Sequence, residues 1–512
     1  MNNLSKRNII KISLITFLWL AVINTGLIMR ADTLVRLSIT HTIWTGEPEV
    51  QLDTNHKPLT RMDNKIGIIG RDGKRYYTYE VGQSLLMLPG DWLGTTIHQL
   101  IPRIPEELSR RFVVNWLIFL PINIAVVISA YYLLIKLEFS EKIATISSLT
   151  WLLTTTVLNY AQNNQQNNQV LLFVILAYIA IFNYLKNNKI INIYLSGVAL
   201  GCAFLVRTTS IIHIATTLLF LFGILLYKRK SWLTILQSLA ISILGAIPVM
   251  LINQYFNFQR FGKFWTLRVI DIDTINTDPF LEGLPKLPDN YPMINHPSVG
   301  ILGVLFSPAK SIFIYDPLLL PCLMLTVYVW KTLSPYLRGY ILTALLNLIL
   351  FTLATSRFDF WHGDSAWGAR YQVTSIHLLL IPLIALLIQY LLSNFHWRRW
   401  LIITALIIAF IIQIASVSLS SNTEVSNLGM IFFAPPKTHQ EFRLGSRFRN
   451  ITCLLTSSWC MERSNSPEAK PLIQRVTFFP FFFTDKRNLI LVPWLVLVIF
   501  TLVMTWQFYK TA

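Results

Sequence analysis

The first side chain whose setting suggests chemistry is the carboxylate of Asp32, which directly follows the first long apolar run. Arg30 and Arg36 flank this acid in the sequence. A carboxylate next to low-dielectric surroundings can accept a proton from a hydroxyl near neutral pH, and it can also hold a divalent cation against a phosphate. An interfacial acid paired with Arg30 or Arg36 is an equally good interpretation of these residues alone. Asp32 is therefore a candidate general base or metal ligand.

A second group of polar and aromatic side chains lies at 70–86, where the sequence reads GRDGKRYYTYEVGQSLL. The Asp72-Gly73 pair is a turn signal, and an apolar helix is predicted to follow the tyrosines. Aromatic faces combined with carboxylate and amide groups suit a sugar pocket, and a helix start can receive a phosphate. A β-hairpin leading to a surface helix explains the same spacing equally well. The candidates for substrate binding in this stretch are Tyr77, Tyr79, Glu80 and Gln83.

Two further candidates, Lys310 and Tyr315, lie where another apolar run begins, in the stretch FSPAKSIFIYDP at 306–317. A lysine at a membrane boundary can bind a lipid phosphate as a point charge. The common alternative is a lysine whose stem covers apolar surface while its ammonium group reaches water. Arg207, at the end of an earlier apolar run, is another candidate for binding an anion.

The densest group of polar residues is the short stretch RFDFWHGDSAWGARY at 357–371. It combines two carboxylates, one histidine, two arginines and two tryptophans on a face that should be poor in arginine. An arginine can bind a phosphate with two parallel hydrogen bonds, and the acids and the histidine can ligate a metal or bind sugar hydroxyls. We therefore favour a functional role over an aromatic belt. The candidates are Asp359, His362, Asp364, Arg370 and Tyr371.

The composition predicts that a membrane holds these side chains in place. Of the 512 residues, 54% are hydrophobic and 13% are charged, whereas about 25% of the residues of a soluble domain are charged. Apolar runs long enough to cross a bilayer as helices recur along the chain. The net charge of +18 comes largely from short connections between these runs. No soluble basic domain is present in the sequence pattern, so nucleic-acid binding is not predicted.

The predicted architecture is an all-α polytopic membrane protein with about twelve transmembrane helices. The spans are expected near 9–29, 112–135, 143–160, 170–185, 190–206, 210–227, 232–252, 312–330, 338–355, 372–392, 400–419 and 489–508. The lysines and arginines of the short connections share one face if both termini are cytoplasmic, as the positive-inside rule requires. The prediction is a multi-pass protein of the plasma (inner) membrane.

Three long connections are predicted to lie on the extracytoplasmic face, together with all the candidate residues. They are 30–111, 253–311 and 420–488. In the first of them, residues 81–101 are half apolar and predict interfacial helices. The domain prediction has three parts. They are a transmembrane catalytic module over 1–419, an extracytoplasmic loop over 420–488, and a last transmembrane helix with a cytoplasmic tail over 489–512.

Two smaller features accompany this layout. The amide-rich patch QNNQQNNQ at 162–169 is interpreted as a polar loop, with the lining of a polar cavity as the alternative. Cys453 and Cys460 lie in the last outer loop, where an oxidising compartment would permit a local disulfide.

These motifs, in their order and on their shared face, resemble the GT-C superfamily of integral-membrane glycosyltransferases. The similarity is to the bacterial protein-mannosyltransferase and aminoarabinose-transferase branch, and it extends over about 9–392. Asp32 stands where that family carries an acidic motif after its first span, although Thr33 replaces the second acid. The stretches Tyr76–Leu86, Ser307–Phe313 and Trp361–Tyr371 resemble the family's later motifs.

The resemblance implies transfer of a sugar from a polyprenyl-phosphate donor to an extracytoplasmic glycan, lipid or protein acceptor. It implies that Asp32 deprotonates the acceptor hydroxyl. Lys310, Arg370 and Arg207 would hold the leaving lipid phosphate, where negative charge grows. The tyrosine stretch and the 359–371 loop would shape the sugar pocket, and membrane lipids would surround the spans. A divalent metal, if used, would be held by Asp32, His362 and Asp364.

Two other classes of protein share some of these features. A multi-span lipid or polysaccharide transporter or flippase also has about twelve spans, but it is expected to show related halves and charges in mid-span. An O-antigen polymerase or ligase would depend on arginines and a histidine in a late outer loop instead of Asp32.

Overall fold

The computed structural model describes residues 3–52, 66–264, 272–363, 365–393, 398–420, 423–424, 442–456, 475–482 and 487–511. Within these ranges the chain is mostly helical with almost no strand, which confirms the all-α prediction. One antiparallel hairpin, of strands β1 (Ile68–Ile69) and β2 (Arg75–Tyr76), precedes the third helix. The hairpin interpretation of the tyrosine stretch is therefore correct for its first residues.

The helices follow one another in a long series. The first ten are α1 (Asn3–Ile23), α2 (Ala31–Thr45), α3 (Gly82–Leu100), α4 (Glu106–Val113), α5 (Leu120–Lys136), α6 (Glu141–Thr154), α7 (Val157–Asn163), α8 (Gln166–Asn187), α9 (Ile190–Val206) and α10 (Ile211–Tyr227). The others are α11 (Trp232–Phe261), α12 (Ile272–Thr277), α13 (Pro297–Phe306), α14 (Ile312–Tyr315), α15 (Leu319–Val329), α16 (Pro335–Thr355), α17 (Val373–Ser393), α18 (Arg398–Ser418), α19 (Arg443–Leu455) and α20 (Arg487–Thr511). A π-helical turn, Val114–Phe119, joins α4 to α5.

Eight helices of the described residues are long and apolar enough to cross a bilayer, which confirms a polytopic membrane protein. They are Glu106–Lys136, Gln166–Asn187, Thr208–Tyr227, Trp232–Phe261, Pro335–Thr355, Val373–Ser393, Arg399–Ser418 and Leu489–Lys510. Three shorter apolar helices accompany them, at Ile190–Val206, Pro297–Phe306 and Leu319–Thr332.

Two of the predicted spans, 143–160 and 312–330, are interrupted instead of continuous. The first breaks between α6 and α7, and the second breaks at Asp316-Pro317 between α14 and α15. The Asp316 carboxylate accepts hydrogen bonds of 2.8 Å from both the backbone N–H and the hydroxyl of Thr156. An apolar interior tolerates a broken helix only where other groups pair its freed backbone. Each interruption therefore stabilises the other.

The chain divides into two compact units. The first unit comprises Met1–Gly26, Asn123–Gln162 and Asn295–Ala512, and the second unit comprises Leu27–Ile122 and Asn163–Ile294. The predicted division at 419 and 488 follows the membrane topology, so it stays a prediction.

The core of the first unit is α17, which is buried on all sides from Val373 to Ile388. By contrast, α20 leaves most of its apolar surface exposed, with Leu489 74% exposed. Two tryptophan N–H groups attach it to α1, from Trp19 to the Thr505 hydroxyl and from Trp494 to the Val22 carbonyl, each at 2.9 Å. An exposed apolar helix of this length fits contact with membrane lipids.

In the second unit, α9 and α11 approach each other through small residues. A Cβ atom added at Gly197 would lie 1.8 Å from the carbonyl oxygen of Ser242, and one at Gly245 would lie 2.3 Å from that of Tyr194. Small residues permit such close backbone contact between membrane helices.

A buried carboxylate, Asp91 in α3, joins the helices of the first long loop. Its oxygens accept from Trp44 Nε1 at 2.8 Å and Arg110 Nε at 2.6 Å, and one lies 3.0 Å from Nδ1 of His41. The side chain is fully buried, so its charge needs these partners. The loop 30–111 therefore contains packed helices, and α3 covers most of the segment that the sequence predicts as interfacial.

We expect Asp91→Ala to destabilise the protein by about 3–5 kcal/mol, because it leaves Arg110 with an uncompensated buried charge. Chemical denaturation of the protein in detergent micelles measures this loss. Glu107→Gln is the control, because the Glu107 side chain on α4 is 72% exposed. A loss near the roughly 1 kcal/mol that is typical of exposed ion pairs would contradict the assigned network.

Candidate functional site

Asp32 lies in the first turn of α2, because the first helix ends earlier than predicted. The side chain of Asn24 accepts the N–H of Gly26 at 2.6 Å, and Gly26 adopts a positive φ of 80°. This local turn ends α1 at Ile23. A carboxylate in a first helical turn is stabilised by the helix dipole.

The Asp32 carboxylate receives a hydrogen bond of 3.0 Å from the hydroxyl of Tyr79. The guanidinium of Arg36 stacks on the ring of Tyr79, 4.2 Å from its centroid, and donates to the backbone carbonyl of Asp32 at 3.1 Å. Arg36 is only 3% exposed, so this cation–π contact is largely desolvated. Tyr79 is thereby held both at its ring and at its hydroxyl.

Glu80 extends this group towards the end of α9. One carboxylate oxygen lies 3.9 Å from the Arg36 guanidinium, and the other accepts the N–H of Thr208 at 3.2 Å and its hydroxyl at 3.0 Å. Thr208 directly follows Arg207. We call this group the Asp32 cluster: Asp32, Arg36, Tyr79, Glu80 and Thr208.

A close approach between α3 and α9 makes the Asp32 cluster possible. A Cβ atom added at Gly82 would lie 2.4 Å from the carbonyl oxygen of Leu205, so any larger residue would push the two helices apart. One residue further, Gln83 donates to the carbonyl of Asn164 at 2.9 Å, which also accepts from the Thr33 hydroxyl at 3.2 Å. Gln83 therefore fixes the start of α3.

The amide patch is buried, so its interpretation as a polar loop is wrong. Within the second unit, Asn164 donates to the side chain of Asn115 at 2.6 Å, and Gln166 donates to the carbonyl of Val206 at 2.5 Å. Asn163 accepts from Arg30 at 3.1 Å. A side-chain amide carries both donors and acceptors, so it can pair with backbone groups where helices end inside an apolar region.

Tyr77 contacts an ion pair that the sequence did not predict. Its backbone N–H donates to Glu49 at 3.1 Å, and Glu49 forms an ion pair with Arg260. Both partners are almost completely buried. The sequence separation between Glu49 and Arg260 leaves no local pattern that would have identified the pair.

In the first unit, Lys310 is buried and 2% exposed, which contradicts a lysine that reaches water. Its ammonium donates to the carbonyl of Ala366 at 2.7 Å. Arg443 in α19 donates to the same carbonyl at 2.9 Å and to that of Ser365 at 2.8 Å. Arg443 is not among the residues predicted from the sequence, although an arginine-rich segment in a loop predicted to lie on the outer face departs from the positive-inside trend.

The buried ring of Trp367 packs against side chains from other parts of the first unit. Tyr315 meets it edge to face at 5.0 Å between centroids, and Arg447 lies 4.8 Å from its centroid. Arg447 also pairs with the buried Glu424. Tyr315 therefore has a packing role, and its contact with a substrate stays a prediction.

The structure places four of the five candidates of the 357–371 stretch in the first unit, and Asp364 lies outside the described residues. Burial raises the pKa of Asp359. The ring of Tyr371 contacts Phe358 edge to face, and His362 contacts Trp361 in the same way. A Cβ atom at Gly363 would lie 2.5 Å from that of Arg370, so this glycine sets the path of the loop.

Cys453 is disulfide-bonded, and Cys460 lies outside the described residues.

The described residues do not fit a metal site. No group of three or more histidines, cysteines or acids within the described ranges lies close enough to hold an ion. The neighbours described around Asp32 are a phenol and a guanidinium, which act here as hydrogen-bond donors.

Comparison with known proteins identifies one family. Residues 109–252, less than half of the chain, match the family model described as dolichyl-phosphate-mannose-protein mannosyltransferase. This match confirms the resemblance inferred from the motifs. The search of curated proteins gives no match.

Solved structures of the archaeal oligosaccharyltransferase AglB from Archaeoglobus fulgidus are similar to the chain at 11% sequence identity. The complex with an inhibitory peptide and a dolichol-phosphate has a TM-score of 0.44 over 86% of this chain and 61% of that chain. The form tethered to an acceptor peptide with the NVT sequon has a TM-score of 0.46 over 86% and 60%. The chain thus spans about three fifths of their length.

We expect acid to release α19 from the 365–367 loop. Burial opposes ionisation of Glu424, but the charges of Arg447 and Arg443 outweigh it and hold the pKa of Glu424 below its ordinary value of 4.5. The stabilisation is complete above pH 4.5 and is lost as the pH falls through the lower folded-state value. Hydrogen-exchange protection factors of α19 should decrease in that range.

Glu424→Gln should already lower this protection at pH 7 by tenfold or more, roughly the effect of breaking a buried ion pair, and should abolish the response to acid. Glu138→Gln, at an exposed position of the same unit, serves as the control. Unchanged protection in Glu424→Gln would show that the ion pair does not hold the helix.

Proposed function

We propose that this protein is a membrane glycosyltransferase that moves a sugar from a polyprenyl-phosphate-linked donor to an extracytoplasmic acceptor. The acceptor is a glycolipid, a cell-envelope polysaccharide or a protein. The observation that carries the proposal is the Asp32 cluster, because it unites side chains from three separate stretches of the sequence, at 32–36, 79–80 and 208. The family match at 109–252 supports the same reaction class.

Asp32 is the proposed general base of this reaction. A general base must be oriented towards the hydroxyl whose proton it removes. Tyr79 and Arg36 supply that orientation. The hydroxyl of Tyr79 donates to the carboxylate of Asp32, and the guanidinium of Arg36 holds the ring of Tyr79 in place. The acceptor oxygen would then displace the lipid phosphate from the anomeric carbon with inversion, while Asp32 takes the proton.

Arg207, Lys310 and Arg370 are the proposed partners of the departing phosphate. Cations fixed where negative charge develops lower the barrier of such a step. Arg207 directly precedes Thr208, whose N–H and hydroxyl hold Glu80 of the Asp32 cluster. In the first unit, Lys310 binds a carbonyl of the loop that carries Arg370.

The side chains that we assign to the sugar pocket combine aromatic faces with acids and amides. They are Tyr77, Tyr79, Glu80, Gln83, Tyr315, Asp359, His362, Asp364 and Tyr371. Gln83 contributes to the pocket indirectly, because its side chain donates to the carbonyl of Asn164 and so fixes the start of α3.

A transferase explains the observations better than the alternatives. The packed helices α2, α3 and α4 form a fixed scaffold in the first outer loop, which a catalytic site needs and a detached loop would lack. A transporter or flippase gives no role to the Tyr79–Asp32 contact, and a polymerase or ligase would not depend on Asp32.

Asp32→Asn should lower the initial rate of sugar transfer by about 10²–10⁴-fold, the usual contribution of a general base. Membranes from a deletion strain that carries the variant are assayed, with mass spectrometry of the cell-envelope glycans to identify the product. Asp289→Asn is the matched control, since it makes the same change at an exposed position of the second unit. Full transfer by Asp32→Asn would refute the assignment.

Tyr79→Phe should lower the initial rate of sugar transfer by about tenfold or more, roughly the effect of losing one hydrogen bond to a charged group. The variant removes the hydroxyl that donates to Asp32 but keeps the ring that stacks on Arg36. Tyr255→Phe, at an exposed position on α11, should leave the rate unchanged. An unchanged rate in Tyr79→Phe would exclude a role of this hydrogen bond in catalysis.

A further inference from the structure

A cavity of about 290 Å³ lies within the second unit, and none of the residues assigned above to the reaction lines it. Its walls include Glu49, Arg71, Asp72, Tyr76, Gln259 and Arg260. The volume is near the lower limit of small-molecule sites, about 300 Å³.

The turn of the β-hairpin and the end of α11 form this cavity together. The N–H of Arg71 donates to the carbonyl of Arg260 at 3.0 Å. A Cβ atom at Gly70 would lie 2.5 Å from that same oxygen, so a glycine is needed for the hairpin to dock this closely. The cavity is therefore part of the fold and not a gap between loose loops.

The positive and negative groups that line the cavity are equal in number. Glu49 pairs with Arg260, and the carboxylate of Asp72 accepts from the hydroxyl of Tyr76 at 2.8 Å. That hydrogen bond lowers the pKa of Asp72, and burial raises the pKa of Tyr76 to about 12, so the phenol stays a donor at physiological pH. With Arg71, the walls carry two positive and two negative groups. A free anion or cation gains little from such a balanced site.

The remaining chemistry suits a polyhydroxyl ring. Tyr76 and Phe256 offer aromatic surfaces, and both line the cavity. Arg71 donates to the side-chain oxygen of Gln259 at 3.0 Å, which sets a guanidinium and an amide side by side. Together these two groups offer several donors and an acceptor, as neighbouring hydroxyls of a sugar require.

We propose that this cavity binds a neutral sugar unit of the acceptor, at a distance from the reacting hydroxyl. This proposal rests on the proposed function, since it assumes that Asp32 marks the point of transfer. It assigns the acceptor to the glycans: a saccharide chain with one unit in the cavity and its reacting end at Asp32.

The distance between the two places supports an extended acceptor. Thr42 lines the cavity and lies ten residues after Asp32 on α2, which corresponds to ~15 Å along the helix. A ligand that reached both places would therefore need more than one sugar ring.

Buried polar residues on one face of α11 connect the same two places. Asn253, Asn257 and Arg260 recur at helical spacing, and all three are buried. Asn253 accepts the N–H of Val81, next to Glu80 of the Asp32 cluster, at 3.4 Å. Polar residues are rare on membrane helices and usually line functional paths.

A peptide acceptor fits the cavity less well. Peptides often bind by adding a strand to an exposed sheet edge. The strands of this hairpin contain two residues each, so they offer little backbone for such pairing.

Saturation-transfer NMR on the full chain in lipid nanodiscs tests the proposal with named probes. These are maltotriose, mannotriose and chitotriose as neutral trisaccharides, with inorganic phosphate and trialanine as representatives of the other ligand classes. At least one trisaccharide should receive saturation from the protein. The double variant Arg71→Ala, Gln259→Ala should weaken its binding about tenfold, the effect of losing one or two hydrogen bonds.

Lys286→Ala is the matched control, because Lys286 is exposed in the same unit and does not line the cavity. Asp32→Asn should also keep trisaccharide binding, so this result separates the cavity from the reaction. If Asp32→Asn retains full transfer, the proposed function fails while the binding result stands. The cavity proposal is overturned if no trisaccharide binds, if only phosphate or trialanine binds, or if the double variant binds trisaccharide as the wild type does.

Discussion

Hydrocarbon offers no hydrogen bonds, so each polar group that enters the apolar region must find its partner within the chain. The packing inside each of the two units follows from this constraint. In the first unit, the Asp316 carboxylate pairs with the N–H and hydroxyl of Thr156 where two helices break. In the second unit, the amides of Asn164 and Gln166 pair with groups on other helices. Polar side chains thus determine where helices stop and which ends meet.

The same constraint gives the Asp32 cluster its rigidity. Arg36 is almost completely buried, and a buried guanidinium is stable only when its charge and its donors are matched. Here the ring of Tyr79, the carboxylate of Glu80 and the carbonyl of Asp32 share that role. Because each of these contacts also pairs a second group, the fold itself fixes the carboxylate of Asp32, as the proposed general base would require. Such preorganisation is the main contribution that a protein makes to a reaction with charge separation.

Much of this could be predicted from the sequence, because hydropathy and motif order are local signals. Apolar runs predict the helical membrane architecture, and residue type and position mark Asp32, Tyr79 and Glu80 as candidates. What could not be predicted depends on pairs that are distant in the sequence. The contacts of Lys310 and Arg443 with one carbonyl, and the Glu49–Arg260 ion pair, join separate elements without any periodic pattern. The amides at 162–169 look alike in exposed and in buried settings, so composition alone misplaced them.

The close contact at Gly82 has a consequence for the history of this sequence. Its α-hydrogen faces the peptide between Leu205 and Val206, and a methyl group in its place would overlap that peptide. Replacement at this position would separate Glu80 from Thr208 without altering any residue of the cluster itself. Selection on the proposed sugar transfer would therefore act on a residue that has no side chain and is not a member of the Asp32 cluster. Variation at position 82 should be tolerated only in lineages where the turn after α9 has also changed its path.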